Sequence, residues 1–185
     1  MEDGEIVELF FARSEEAIAA LAEKYGPLCG SIAKNLLGDR RDAEECLNDA
    51  WLAVWNTVPP QRPEPLSGYV CRIVRNLAVK RFHANTARKR NGSYDMALEE
   101  LAECFPAAGS AEEAAEAGEA AETVNAFLAG LDESSRILFV RRYWYADSIE
   151  ALAARFHTGR HNVSVRLSRI RKALKKYLAK EGIGL

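Results

Sequence analysis

Two sets of cationic side chains sit at spacings that suit a polyanion. The first opens with Arg160, His161, Asn162 and Ser164, at the start of an apolar repeat formed by Val163, Leu167, Ile170, Leu174 and Leu178. The repeat has helical period, so these polar residues fall in the first turn of a helix, where side chains can reach base edges in a major groove. Arg166, Arg169, Arg171, Lys172, Lys175 and Lys176 follow along the same helix and suit phosphates. The second set is Arg72, Arg75 and Lys80, interleaved with Tyr69, Asn76, Phe82 and His83. Cations among rings suit unpaired bases, whose faces are free to stack. A plainer reading stands beside each: a solvated basic helix, with Tyr69 and Phe82 packed inward in the second.

The wider charge pattern supports the polyanion. From Tyr69 to Arg90 there are seven Lys or Arg residues and no acid, and from Arg155 to Lys180 there are nine and again no acid. Between Arg90 and Arg136 the pattern inverts: eleven Asp or Glu residues and no Lys or Arg. The formal net charge of -2 hides this segregation. It predicts two modules that meet a polyanion, joined by a tether that avoids or mimics one.

Other chemistry finds little support. His83, His157 and His161 lie in basic stretches without a carboxylate at fixed spacing, and no phosphate loop or metal-ligand pattern occurs. No catalysis, cofactor or metal is expected. Cys29, Cys46, Cys71 and Cys104 form no Cys-x-x-Cys pair and read as reduced core residues. No uncharged apolar run is long enough to span a bilayer, and the acidic N-terminus does not resemble a secretory signal, so a cytoplasmic protein without membrane insertion is expected.

The elements that must carry these residues are helical throughout, which predicts an all-α fold. Ser14 caps a helix bearing Ala17, Ile18 and Leu21 that Gly26 ends. Pro27 opens the next, and Gly38 ends it. Asp42 and Glu45 have capping-box spacing ahead of a stripe of Ala43, Cys46, Leu47, Ala50, Trp51 and Val54. The prolines from Pro59 to Pro65 break the chain, and Ser67 caps a helix reaching to about Arg88. Residues 91–122, rich in Ala, Glu and Gly, read as an acidic flexible linker between small helical domains at 1–90 and 123–185. In the latter, four helices are expected. Ser148 caps a short one with Ile149, Leu152, Ala153 and Phe156, followed by a break at His157-Thr158-Gly159 and the long basic helix. This last pair has the pattern of a helix-turn-helix.

Two stretches sharpen the reading. The runs Asp42-Ala43-Glu44-Glu45-Cys46-Leu47-Asn48-Asp49-Ala50-Trp51 and Tyr69-Val70-Cys71-Arg72-Ile73-Val74-Arg75-Asn76-Leu77-Ala78 resemble region two of bacterial RNA polymerase sigma factors. Residues Ser148 to Ala153 and Val163 to Arg171 resemble region four. With these regions alone, the chain resembles the small extracytoplasmic-function type. It departs from the family pattern in having Asn48 for Gln, Tyr69 for Trp, Lys80 for Asp, His157 for Gly and Gly159 for Ser.

The resemblance implies a promoter-specificity subunit that binds core RNA polymerase and promoter DNA, both duplex and single-stranded. It implies core docking through Glu45, Asn48 and Asp49, with Leu52 as an apolar neighbour. It implies capture of the opened minus-ten strand by Arg62 and the loop to Ser67, with Tyr69, Arg72, Arg75, Asn76 and Lys80. It implies reading of the minus-thirty-five duplex by Arg160, His161, Asn162, Ser164, Arg166 and Arg169. An anti-sigma factor is a further partner that the resemblance allows. A free-standing helix-turn-helix regulator is the alternative, but it would leave the acidic helix and the second basic helix without a task.

Overall fold

The computed structural model describes residues 1–85, 93–102, 104 and 113–182. Among these, every regular element is an α-helix, and the chain divides into two compact units, Met1–Gly92 and Ser93–Leu185.

The first unit holds α1 (Asp3–Phe11), α2 (Glu16–Leu37), α3 (Arg40–Thr57) and α4 (Leu66–Asn85). α2 packs against each of the other three. Its stripe of Leu21, Tyr25, Cys29, Ile32 and Leu36 is buried against Ile6 and Phe10 of α1, Cys46, Ala50 and Val54 of α3, and Val70 and Val74 of α4.

Three expectations are corrected here. The helices expected on either side of Gly26-Pro27 are one, because Leu21, Tyr25, Cys29 and Ile32 stay in phase across the pair. Proline costs one backbone hydrogen bond and some crowding, and burial on both sides outweighs it. α3 starts earlier than its apparent capping box: Asp39 is the cap, accepting from the amides of Arg41 (2.9 Å) and Asp42 (3.1 Å). Ser67 lies inside α4, which begins at Leu66. The predicted end of that helix near Arg88 lies outside the described residues. α1 was not anticipated at all.

The second unit holds α5 (Ser93–Ala102), α6 (Glu113–Ala129), α7 (Glu133–Tyr143), α8 (Ile149–Arg155) and α9 (Arg160–Lys180). α9 supplies Val163, Leu167, Leu174 and Leu178 to a core completed by Phe127, Leu138 and Leu152. Asp132 caps α7 through the Ser135 amide, and Ser148 caps α8 through the Ala151 amide at 3.1 Å. His157 follows α8 with φ +48°, the left-handed conformation that lets the chain turn sharply into α9.

α5 falls within 91–122, read from the sequence as tether, yet it packs on this core through Ala97 and Leu101, and Cys104 joins them. A buried ionic cluster holds it there. Glu100 accepts from Arg142 Nη2 (2.8 Å), the Tyr143 hydroxyl (2.9 Å) and Arg171 Nη1 (3.2 Å). Arg142 is 1% exposed and also donates to the Asp147 carbonyl at 2.9 Å. Burial pushes the Glu100 carboxyl up, but the donors around it outweigh burial and leave it below the ordinary value.

Candidate nucleic-acid interface

α3 presents the acidic surface. Ala43, Cys46, Ala50 and Val54 face the core, which turns Glu45, Asn48, Asp49 and Leu52 to solvent. Leu52 is 58% exposed beside these acidic residues. The two carboxylates already have an internal partner. Arg81 of α4 donates to Glu45 (3.1 Å), to Asp49 (3.2 Å) and to the Asp42 carbonyl (3.1 Å). Arg81 was not singled out from the sequence. Its signal was phase: it lies two turns after Val74, on the side of α4 that faces α3.

Leu66, Val70, Cys71, Val74 and Ala78 are the buried positions of α4. Tyr69, Arg72, Asn76 and Lys80 then share one side by helical phase, and Arg72, Asn76 and Lys80 are exposed. Arg75, one turn after Arg72, is half-buried at the edge of that stripe. Tyr69 is half-buried. Its hydroxyl donates to Thr57 Oγ1 at 2.7 Å, and the Arg72 guanidinium lies 5.7 Å from its ring centroid. Arg62, in the loop between α3 and α4, is ion-paired with Glu8, which lowers the Glu8 carboxyl below its usual range.

In the second unit the buried stripe of α9 leaves His161, Ser164 and Arg169 facing solvent together with Lys172, Lys175 and Lys176. Three other predicted contacts are engaged at the turn. Arg160 pairs with Glu150 of α8 at 3.1 Å, and Asn162 donates to Thr158 at 3.2 Å. Arg166 donates to Ser134 at 2.8 Å and lies 5.6 Å from the Phe156 ring centroid. Arg171 is turned inward to Glu100 and Tyr143 (2.8 Å), so it belongs to the core cluster and not to the outer face. The sequence reading had grouped it with phosphate-facing residues.

The cysteines are all buried, and none is in a disulfide. Burial pushes the Cys46 thiol up to about 11. Cys29 is raised by its hydrogen bond with Cys71 and by burial. Among the described residues no cluster of His, Cys, Asp or Glu could hold a metal ion, and no helix is long and apolar enough to cross a membrane.

Residues 21–95, which span most of α2 and all of α3 and α4, match the family Sigma-70 region 2. This segment is similar to the second conserved region of the sigma-70 proteins. The candidate docking face on α3 and the stripe on α4 both lie inside the matched segment, as does Arg62. α1 lies outside it. Among solved structures, CnrH, determined in complex with the cytosolic domain of CnrY, is similar at 20% identity over 96% of this chain and 97% of that one, with a TM-score of 0.45. No curated protein matches the chain.

Proposed function

We propose that this chain is a promoter-specificity subunit of the sigma-70 family, of the extracytoplasmic-function type. It binds core RNA polymerase through Glu45, Asn48, Asp49 and Leu52 on α3. It holds the opened minus-ten strand with Arg62, Tyr69, Arg72, Asn76 and Lys80, with Arg75 at the edge of that surface. It reads the minus-thirty-five duplex with the first turns of α9, where Arg160, His161, Asn162, Ser164, Arg166 and Arg169 lie. It works in the cytoplasm, where the polymerase is, and contributes no active site of its own.

One observation carries this reading: the match to sigma-70 region 2 sits in the same chain as a helix-turn-helix whose long helix turns a basic face outward. The contacts of Arg160, Asn162 and Arg166 in the free protein fit such a role. They hold long side chains near the turn and reduce the entropy lost when DNA arrives. Run-off transcription with purified core polymerase on a pool of randomised promoters tests the proposal. Sequencing of the products should return two separated motifs. If core polymerase does not co-purify with the chain and the chain supports no transcript, while it still binds duplex DNA, a free-standing regulator is the better account.

A further inference from the structure

α1 lies wholly ahead of the matched residues, yet it is joined to the loop that follows α3. The Arg62 guanidinium carbon sits 4.0 Å from the centroid of the Phe11 ring, and Glu8 pairs with the same guanidinium. Just beyond α1, Arg13 makes the converse contact. Its guanidinium lies 5.2 Å from the Trp55 ring centroid, and its Nη1 donates to the Trp55 carbonyl at 2.6 Å. Arginines and rings are thus exchanged between the α1 end and the segment 55–62. α1 is itself firmly held: Ile6 and Phe10 are fully buried, and Asp3 pairs with Lys24 of α2 at 2.7 Å.

A loop arginine on its own samples many rotamers, and ordering it at the moment of binding costs affinity. Here a ring occupies one face of the Arg62 guanidinium and a carboxylate holds its edge. The side chain remains 57% exposed. A planar guanidinium fixed in this way can stack on a base with its other face, since arginine stacks on aromatic faces as well as pairing with anions.

We propose that α1 is a positioning element for minus-ten recognition: Glu8 and Phe11 hold Arg62 so that its open face receives an unpaired base. The proposal rests on the reading of Arg62 given under the proposed function. It adds to the DNA-reading apparatus a helix outside the matched region, with Glu8 and Phe11 as positioning residues that do not themselves touch DNA.

The test uses the full chain with core polymerase, selecting open complexes from a promoter pool randomised through the minus-ten element. Arg62→Ala should flatten base preference at one position. Phe11→Leu and Glu8→Gln should each weaken preference at that same position by more than about twofold and up to about fivefold, the range of an exposed ring or ion-pair contact. Phe11→Tyr, which keeps the ring, should restore it. Positions that respond to Asn76→Ala should not move in any of these variants. The proposal is overturned if Arg62→Ala flattens a position while Phe11→Leu and Glu8→Gln both leave it within about twofold of wild type. It is equally overturned if those variants depress all positions alike, since that is the mark of a merely structural helix. If Arg62→Ala itself changes nothing, the minus-ten role of Arg62 fails and the proposal goes with it. Wild-type transcription in the same assay would leave the sigma reading standing.

Discussion

Replacing Glu100 by Gln removes one negative charge from a site where two arginines converge. The shape of the side chain is kept, so packing of α5 changes little. What changes is the surrounding charge. Arg142 is 1% exposed and Arg171 is 16% exposed at the side chain, and both lose their carboxylate. Breaking a fully buried pair by removing one partner costs about 3–5 kcal/mol. Glu100 keeps 24% of its side-chain surface, and Arg142 retains the Asp147 carbonyl, so about 2 kcal/mol is the expected cost here. Amide hydrogen exchange on the full chain measures it locally. Amides of α7 and α9 should exchange about 30-fold faster in Glu100→Gln, the equivalent of about 2 kcal/mol in opening free energy. Amides of α2 and α3 should be unaffected. The pH dependence has a definite sign. The Glu100 carboxyl is lowered in the folded chain, so its contribution is present above the ordinary carboxylate value of 4.5 and is lost as pH falls through the folded value. The gap between wild type and Glu100→Gln should therefore close in acid. Equal exchange in α7 and α9 at neutral pH would refute the argument and return α5 to the status of a tether.

Three further outcomes are expected. Asp49→Lys should weaken binding to core polymerase, but it also breaks the bridge to Arg81. Leu52→Glu has no such internal partner to lose, so unchanged core affinity in both variants would remove the docking face. Lys175→Ala should weaken duplex binding on every sequence alike and reduce the salt slope by about 0.9. Arg160→Ala should instead relax preference at one base pair by about 1–3 kcal/mol, and exchanged phenotypes in a binding-and-sequencing assay would mean α9 docks differently. His157→Gly should raise the unfolding temperature of the second unit, because relieving φ +48° in a non-glycine residue is worth about 0.5–1 kcal/mol. No rise would show the turn to be unstrained.

What was legible in the sequence depended on how local the cause was. α8, the turn and α9 follow from a capping serine, a break at His157-Thr158-Gly159 and an uninterrupted apolar repeat, all within 33 residues of chain from Ser148 to Lys180. On α4, Arg72, Asn76 and Lys80 face solvent, while Tyr69 and Arg75 are half-buried. Errors arose where distant partners decide. Gly26-Pro27 has the local chemistry of a boundary, and only the surfaces of α1, α3 and α4 keep α2 whole. α1 is capped by Glu2 and not by one of the usual short polar residues, and it is held by contacts with α2 and with the loop near Arg62. The acidic composition of 91–122 concealed α5, because Glu100 looks like any other solvated glutamate until Arg142 and Arg171 surround it. Arg81 and Arg142 show the same thing from the basic side: a charge count cannot separate an arginine that meets solvent from one that ties two helices together.

The Glu100 cluster also bears on how the protein is made. The helices α1 to α4 all lie within residues 1–85, so their packing can close as soon as they have emerged. Glu100 must wait for Arg171, which is 71 residues further on. At bacterial and eukaryotic synthesis rates of about 5–20 residues per second, that is about 4–14 s. Until α7 brings Arg142 and Tyr143, α5 is an acidic amphipathic segment with no counterion and an uncovered apolar face, and only Arg171 completes the cluster. Slowing translation between α5 and α9 should lengthen the exposure and increase capture by chaperones without changing the folded product. A nascent chain stalled before Arg171 would carry a competent first unit and an unassembled second one.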